Sequence, residues 1–266
     1  MLFRSGQLAV AANLRALMTG SPNVASHRTN DPRVQDPYSV RCMPQVHGAS
    51  RDALAYVRRV LEIEINAVTD NPIVFAEERR IVSGGNFHGQ PVAIALDVAT
   101  IAVAELADVS EARIDRMTNG HTSGLPAFLA AEPGMNSGFM VAQYTAAALV
   151  TENRLRAFPA SVESVPTSAG MEDHVSIGTH AAHKLAAVVR NTRDVLAIEA
   201  LCAAQGLDLL GATTAPGVEE ARHVVRERVA GLARDRVLAP DIAAIADVIA
   251  REVLVAGVRA TVPDLA

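Results

Sequence analysis

Glu172–Leu207, EDHVSIGTHAAHKLAAVVRNTRDVLAIEALCAAQGL, carries the longest helical pattern in the chain. Acidic Glu172-Asp173 opens it, as a helix dipole favours, and at 1.5 Å per residue it would reach on the order of 50 Å. A helix of that length with alanine-rich faces belongs in a bundle of long helices rather than in a compact globin-like packing. Immediately upstream, Pro159–Gly170 is rich in Ser, Pro and small residues and reads as loop. Before that, Asn136-Ser137 offers an N-cap for a helix running to about Ala157. Thr118–Met135, with three glycines and two prolines, is a second loop.

Further toward the N-terminus, His88–Met117 follows the breaker Ser83-Gly84-Gly85-Asn86 and reads as helix. Gln45–Val68 does too, with Leu54, Val57, Leu61 and Ile65 spaced for one face, and it ends at Asp70-Asn71-Pro72. Gly6–Leu17 stops at Thr19-Gly20-Ser21-Pro22, and Asn23–Pro37 is a polar loop broken by Pro32 and Pro37. Beyond Pro216, two shorter amphipathic helices span about Val218–Ala233 and Pro240–Leu254. Strand-type alternation is nearly absent. The expected fold is therefore all-α, a single helical domain over residues 1–266, with core helices in 1–215 and C-terminal helices in 216–266.

Composition bounds the function. Half the residues are hydrophobic but only 3% are aromatic, with six Phe, three Tyr and no Trp, so the core must be built from Ala, Val, Leu and Ile. The net charge is −5 and no basic stripe is present, which disfavours nucleic acid as a partner. Cys42 and Cys202 cannot make a disulfide framework or a four-thiolate zinc site. Val92–Leu106 is too short to span a bilayer and contains Asp97 and Glu105. The N-terminus has no signal-peptide pattern, so a soluble, cytoplasmic protein is expected. Met1 lies just ahead of a helical pattern, and several helices are apolar on more than one face. That implies further protein, either an identical subunit or a missing segment.

Three loop-to-helix junctions hold residues with chemistry. In Gln35-Asp36-Pro37-Tyr38-Ser39-Val40-Arg41-Cys42, Tyr38 and Arg41 share a side of a helical turn. Arg41 offers a fork that suits a carboxylate, although a capped helix start with a surface Arg has the same spacing. Gly84-Gly85-Asn86-Phe87-His88-Gly89 lets backbone approach a ligand at a helix start, or is an ordinary turn. In Met171-Glu172-Asp173-His174, Glu172 either faces a pocket and pairs with a basic substrate group, or answers the helix dipole. His174, His180 and His183 lack the carboxylate or thiolate set of a standard zinc site, and no metal is expected. No nucleophile elbow or P-loop occurs.

Read together, these junctions resemble the histidine ammonia-lyases of the aromatic amino acid ammonia-lyase family, in order and spacing. Glu62–Pro72 (EIEINAVTDNP), Gly124–Leu129 (GLPAFL) and Pro159–Ser168 (PASVESVPTS) add to the likeness, which runs from about Gly6 to Leu210. The resemblance implies homotetramers of long helices, of the ammonia-lyase and aspartase-like type, that turn histidine into trans-urocanate and ammonia. Relatives act on tyrosine or phenylalanine. The family's electrophile, 4-methylideneimidazole-5-one (MIO), forms from an internal Ala-Ser-Gly. By the same resemblance Arg41 clamps the substrate carboxylate, Tyr38 and Gln35 order the polar side, Phe87 packs beside the electrophile, and Glu172 meets the imidazole.

Two departures stand out. No Ala-Ser-Gly occurs in this sequence, and Thr122-Ser123-Gly124, Asn136-Ser137-Gly138 and Val82-Ser83-Gly84 lie where the family has other elements. Met171 stands where family members usually carry a polar amide. The chain therefore resembles only the C-terminal half of a lyase and is expected to be inactive alone. Its partner would be a complementary N-terminal lyase polypeptide or further copies of itself, with a small amino acid as substrate. The alternatives are a non-catalytic remnant that binds other subunits, or a tyrosine- or phenylalanine-type fragment. A fumarase- or aspartase-type bundle is disfavoured because the Gly-Ser-Ser loop of those enzymes is absent.

Overall fold

The computed structural model describes residues 5–29, 31 and 34–265. In chain order these form α1 (Ser5–Met18), α2 (Pro22–Ser26), α3 (Tyr38–Arg41), α4 (Met43–Ile65), a hairpin of β1 (Ile73–Phe75) and β2 (Arg80–Val82), and α5 (Gln90–Thr118). There follow α6 (Gly120–Ser123), α7 (Met140–Arg156), α8 (Gly178–Leu210), α9 (Pro216–Arg228), α10 (Ala239–Ala250) and α11 (Val253–Thr261). The fold is the expected all-α bundle. Proline stands in the first turn of α4, α5, α9 and α10, where its missing N–H costs nothing. Gly211, at φ +60°, closes α8 in the left-handed conformation that glycine reaches without strain.

Helices α5 and α8 form the spine and run parallel. Asp97 meets Lys184, and further along both helices Arg113 meets Glu199. Helix α7 is antiparallel to them: Asn153 bonds to Thr192, and farther along the chain the Phe158 carbonyl accepts from Lys184. Helix α4 is antiparallel to α5, with Ser50 Oγ donating to the Ala102 carbonyl while Val57 packs on Ala95 and Ala99. Alanines at positions 93, 95, 99, 102 and 107 of α5 are buried, which lets the neighbouring helices approach closely. The main core joins Ile114, Leu129, Phe139, Ile198, Val225 and Ile245, so α9 and α10 share one cluster with the spine. No helix among the described residues is long and apolar enough to cross a membrane.

Several sequence expectations are corrected. Helix α8 starts at Gly178, not at Glu172, because Ile177 takes a left-handed conformation at φ +54° and blocks an earlier start. Glu172 is therefore not part of that helix's first turn. Asn136 and Ser137 do not cap α7, which starts at Met140. Instead Asn136 Oδ1 accepts from the Asp235 amide, while the amides of Ser137 and Gly138 donate to the Asp235 carboxylate. The loop after α1 contains α2, capped by Ser21, and Pro32 lies outside the described residues. Pro240–Leu254 is broken at Glu252, at φ +58°, into α10 and α11. The β1–β2 hairpin was not expected, and α4 ends at Ile65, which is 80% exposed although it falls on the predicted apolar face.

Candidate functional site

The N-termini of α5 and α8 lie side by side, and three loops are tied to them. Asn71 Oδ1 accepts from Ser83 Oγ at 2.9 Å and from the Gly84 amide at 3.0 Å, closing the base of the hairpin. Asn86 Nδ2 donates to the Val68 carbonyl at 2.6 Å. This scaffold presents Phe87 with 55% of its surface exposed. At Gly89 the backbone passes so close to the third loop that a Cβ there would sit 3.4 Å from Ser176 Oγ.

The third loop, residues 158–176, is a strap laid across the ends of both helices. Its base is charged. Buried Asp97 accepts from the Ser161 amide at 2.7 Å and from Lys184 Nζ at 3.0 Å, and Lys184 also donates to the Phe158 carbonyl. Burial alone would raise the Asp97 pKa, but the Ser161 hydrogen bonds, with Lys184 and the Ala160 amide, outweigh it and hold the carboxyl below its usual range. Gln90 Nε2 donates to the Ser161 carbonyl at 2.9 Å. Farther out, Ser164 Oγ accepts from the Val175 amide, and Thr167 and Glu172 form an antiparallel bridge. Glu172 is exposed at the tip, its carboxylate accepting from Thr167 Oγ1 at 2.5 Å.

Tyr38 and Arg41 form a separate patch. As their spacing predicts, they lie together, with the Arg41 guanidinium carbon 4.6 Å from the Tyr38 ring centroid. Tyr38 is 71% exposed, and Gln35 and Arg41 are exposed as well. Below them Arg113 forks onto Glu199, Nη2 reaching Oε2 at 2.9 Å, and its Nη1 donates to the Ser39 carbonyl at 3.4 Å. Ser110 Oγ adds a bond to Glu199 at 2.6 Å. His47 lies 3.4 Å from Arg113 Nη1, and burial together with that cation lowers its pKa despite opposition from Glu199.

The structure brings Tyr38 to Arg41, and Phe87 to the strap of Glu172, but not the two pairs to each other. Gln90 marks one end of α5 and Arg113, under α3, lies toward the other, so about 35 Å of helix separates the patches. Sequence reading missed the Asp97–Lys184 and Arg113–Glu199 pairs; Asp97, Lys184 and Glu199 are charges set in apolar helical stretches, whereas Arg113 sits among other charges and gives no such signal. It also missed the contact of His88 with His174. His180 and His183 are exposed on α8, and no group of three or more His, Cys, Asp or Glu side chains among the described residues could hold a metal.

Comparison with known proteins agrees with this architecture. The profile of the family described as aromatic amino acid lyase matches residues 4–227. Histidine ammonia-lyase of Symbiobacterium thermophilum is 55% identical over 262 residues, covering 98% of this chain and 51% of that protein. The crystal structure of histidine ammonia-lyase from Trypanosoma cruzi superposes with a TM-score of 0.89 at 43% identity, over 98% of this chain and 49% of the other. Tyrosine aminomutase from Streptomyces globisporus also gives 0.89, at 39% identity over 97% of this chain and 53% of the other. The chain thus spans about half the length of the curated relatives it matches.

Proposed function

The chain belongs to the aromatic amino acid lyase family, and on that premise we propose that it is the C-terminal half of a histidine ammonia-lyase, supplying substrate-binding residues to a site shared between polypeptides. The observation that carries this reading is the separation of the two exposed patches along α5. Arg41 and Tyr38 cannot meet Phe87 and Glu172 within one chain, so a single pocket forms only when different copies face each other. Exposed apolar side chains on the long helices, Ile94, Ile101, Tyr144 and Leu155 among them, provide surface for such assembly.

In that site the Arg41 fork holds the substrate carboxylate, and Tyr38 and Gln35 order the polar side around it. Glu172 accepts an imidazole N–H. A carboxylate suits that group and pairs poorly with a phenyl ring, which favours histidine over tyrosine or phenylalanine. The net reaction breaks a β C–H bond and the Cα–N bond, leaving a Cα=Cβ double bond, a proton and ammonia. MIO, when present, supplies the electrophile that activates the amino acid for this elimination. The exposed Phe87 ring offers it an apolar packing face. No Ala-Ser-Gly in this sequence can form it, so it must come from another segment or polypeptide. With a net charge of −5 and no basic stripe, we read the protein as one without a nucleic-acid partner.

The same lack of Ala-Ser-Gly favours one other reading, a non-catalytic protein that binds lyase subunits. Co-expression with an N-terminal lyase polypeptide bearing Ala-Ser-Gly decides between them. Urocanate and ammonia formed from histidine by the purified complex, and not by either part alone, is the expected result. A stable complex with no turnover leaves the subunit-binding protein.

A further inference from the structure

The His88 side chain ties the Phe87 turn to the part of the strap that carries Glu172. Its Nδ1 accepts from the Gln90 amide at 3.3 Å, which leaves the proton on Nε2, and Nε2 donates to the His174 carbonyl at 3.0 Å. The two imidazoles stack, centroids 5.7 Å apart and planes within 1°. The link lies one residue from Phe87 and two from Glu172. Among the described residues, the strap's other bonds close it on itself, through Ser164 and Thr167, anchor its far base at Phe158 and Ser161, or link Ser176 to the Gly178 amide at the start of α8. Nothing among them sets the height of Glu172 above Phe87.

We infer that His88 is a positioning residue: through the His174 carbonyl it fixes Glu172 relative to Phe87 and so sets which amino acid side chain the site accepts. This rests on the histidine ammonia-lyase reading above. A half-buried imidazole with both nitrogens engaged has one tautomer and one ring orientation, so it acts as a rigid spacer. A strap released from it keeps its internal bonds but swings as a unit about its base.

Two conservative variants separate the halves of the contact. In His88→Gln the amide nitrogen reaches about as far as Nε2 and can still donate to the His174 carbonyl. In His88→Asn the shorter amide can satisfy the Gln90 amide but not His174. In the purified protein, in whatever assembly it adopts, His88→Asn should speed amide exchange at residues 172–176 by about threefold to tenfold, the worth of one net hydrogen bond, with His88→Gln within about twofold of the parent. In the reconstituted lyase the ratio of kcat/KM for histidine over tyrosine should fall by a similar factor in His88→Asn and recover in His88→Gln. Equal exchange in all three proteins overturns the inference, as does an equal loss on both substrates. A parent complex that makes no urocanate removes the lyase reading instead, and the exchange pair then still decides whether His88 holds the strap.

Discussion

Asp97 of α5 and Lys184 of α8 pair at 3.0 Å with side chains only 4% and 10% exposed. Each also holds the base of the strap, Asp97 through the Ser161 amide and Lys184 through the Phe158 carbonyl. The pair therefore joins the bundle's spine to the loop that presents Glu172.

Removing one partner leaves the other charge buried. Asp97→Ala or Lys184→Ala is expected to cost about 3–5 kcal/mol, read as a lower midpoint in urea unfolding. The joint change Asp97→Leu with Lys184→Met should cost less than either single change, because no orphan charge remains. Because the Asp97 pKa is lowered on folding, its contribution is complete above its unfolded value of 3.8 and is lost as pH falls through the folded value. The stability difference between the parent and Asp97→Asn should accordingly shrink only below about pH 4. A difference that instead disappears between pH 5 and 7 would assign it to another group.

His47 gives a second pH dependence in a different window. Burial and the neighbouring Arg113 lower its pKa from 6.5, so the unfolded chain takes up a proton there before the folded one. Stability is full above 6.5 and falls as pH drops from that value toward the folded pKa. The melting temperature should therefore decline as pH falls below about 6.5, and His47→Gln should flatten that part of the profile. An unchanged slope in the variant rules out His47 as its source.

Arg41→Ala tests the carboxylate role. Arg41 is exposed and stacks on Tyr38, so its loss should leave the fold intact, with a melting temperature close to the parent's. In the reconstituted complex the histidine KM should rise and turnover fall together, by roughly tenfold or more in kcat/KM, as expected when a charged hydrogen bond to substrate is lost. Unchanged kinetics remove the carboxylate role.

Local periodicity revealed the bundle because α5 and α8 are long enough for many helical repeats to accumulate. It failed where structure is short or distant in sequence. Three-residue strands at Ile73–Phe75 and Arg80–Val82 offer too few positions for alternation to register. Ile177 gives no sequence sign of the left-handed turn that delays α8, so the acidic Glu172-Asp173 pair looks like a helix start. Asp97 is visible in the apolar run Val92–Leu106, but its partner Lys184 lies on another helix, and spacing does not connect them. The candidate site followed the same rule. Tyr38 and Arg41 share a helical turn and could be paired from spacing, whereas the distance between the two patches depends on how α3 docks on Arg113.

Glu172→Gln asks whether the strap's carboxylate reads the substrate side chain. The side chain is exposed and accepts a hydrogen bond from Thr167 Oγ1, which the amide oxygen can also accept, so strap geometry should survive. What changes is charge. An imidazolium loses an ionic partner and a neutral imidazole N–H loses the stronger acceptor, while a phenyl ring, which has no donor, loses neither. Histidine kcat/KM should fall by about tenfold or more, with phenylalanine little affected. An equal fall for both amino acids would mean that Glu172 acts on a group they share, and the preference for histidine would have to lie elsewhere in the site.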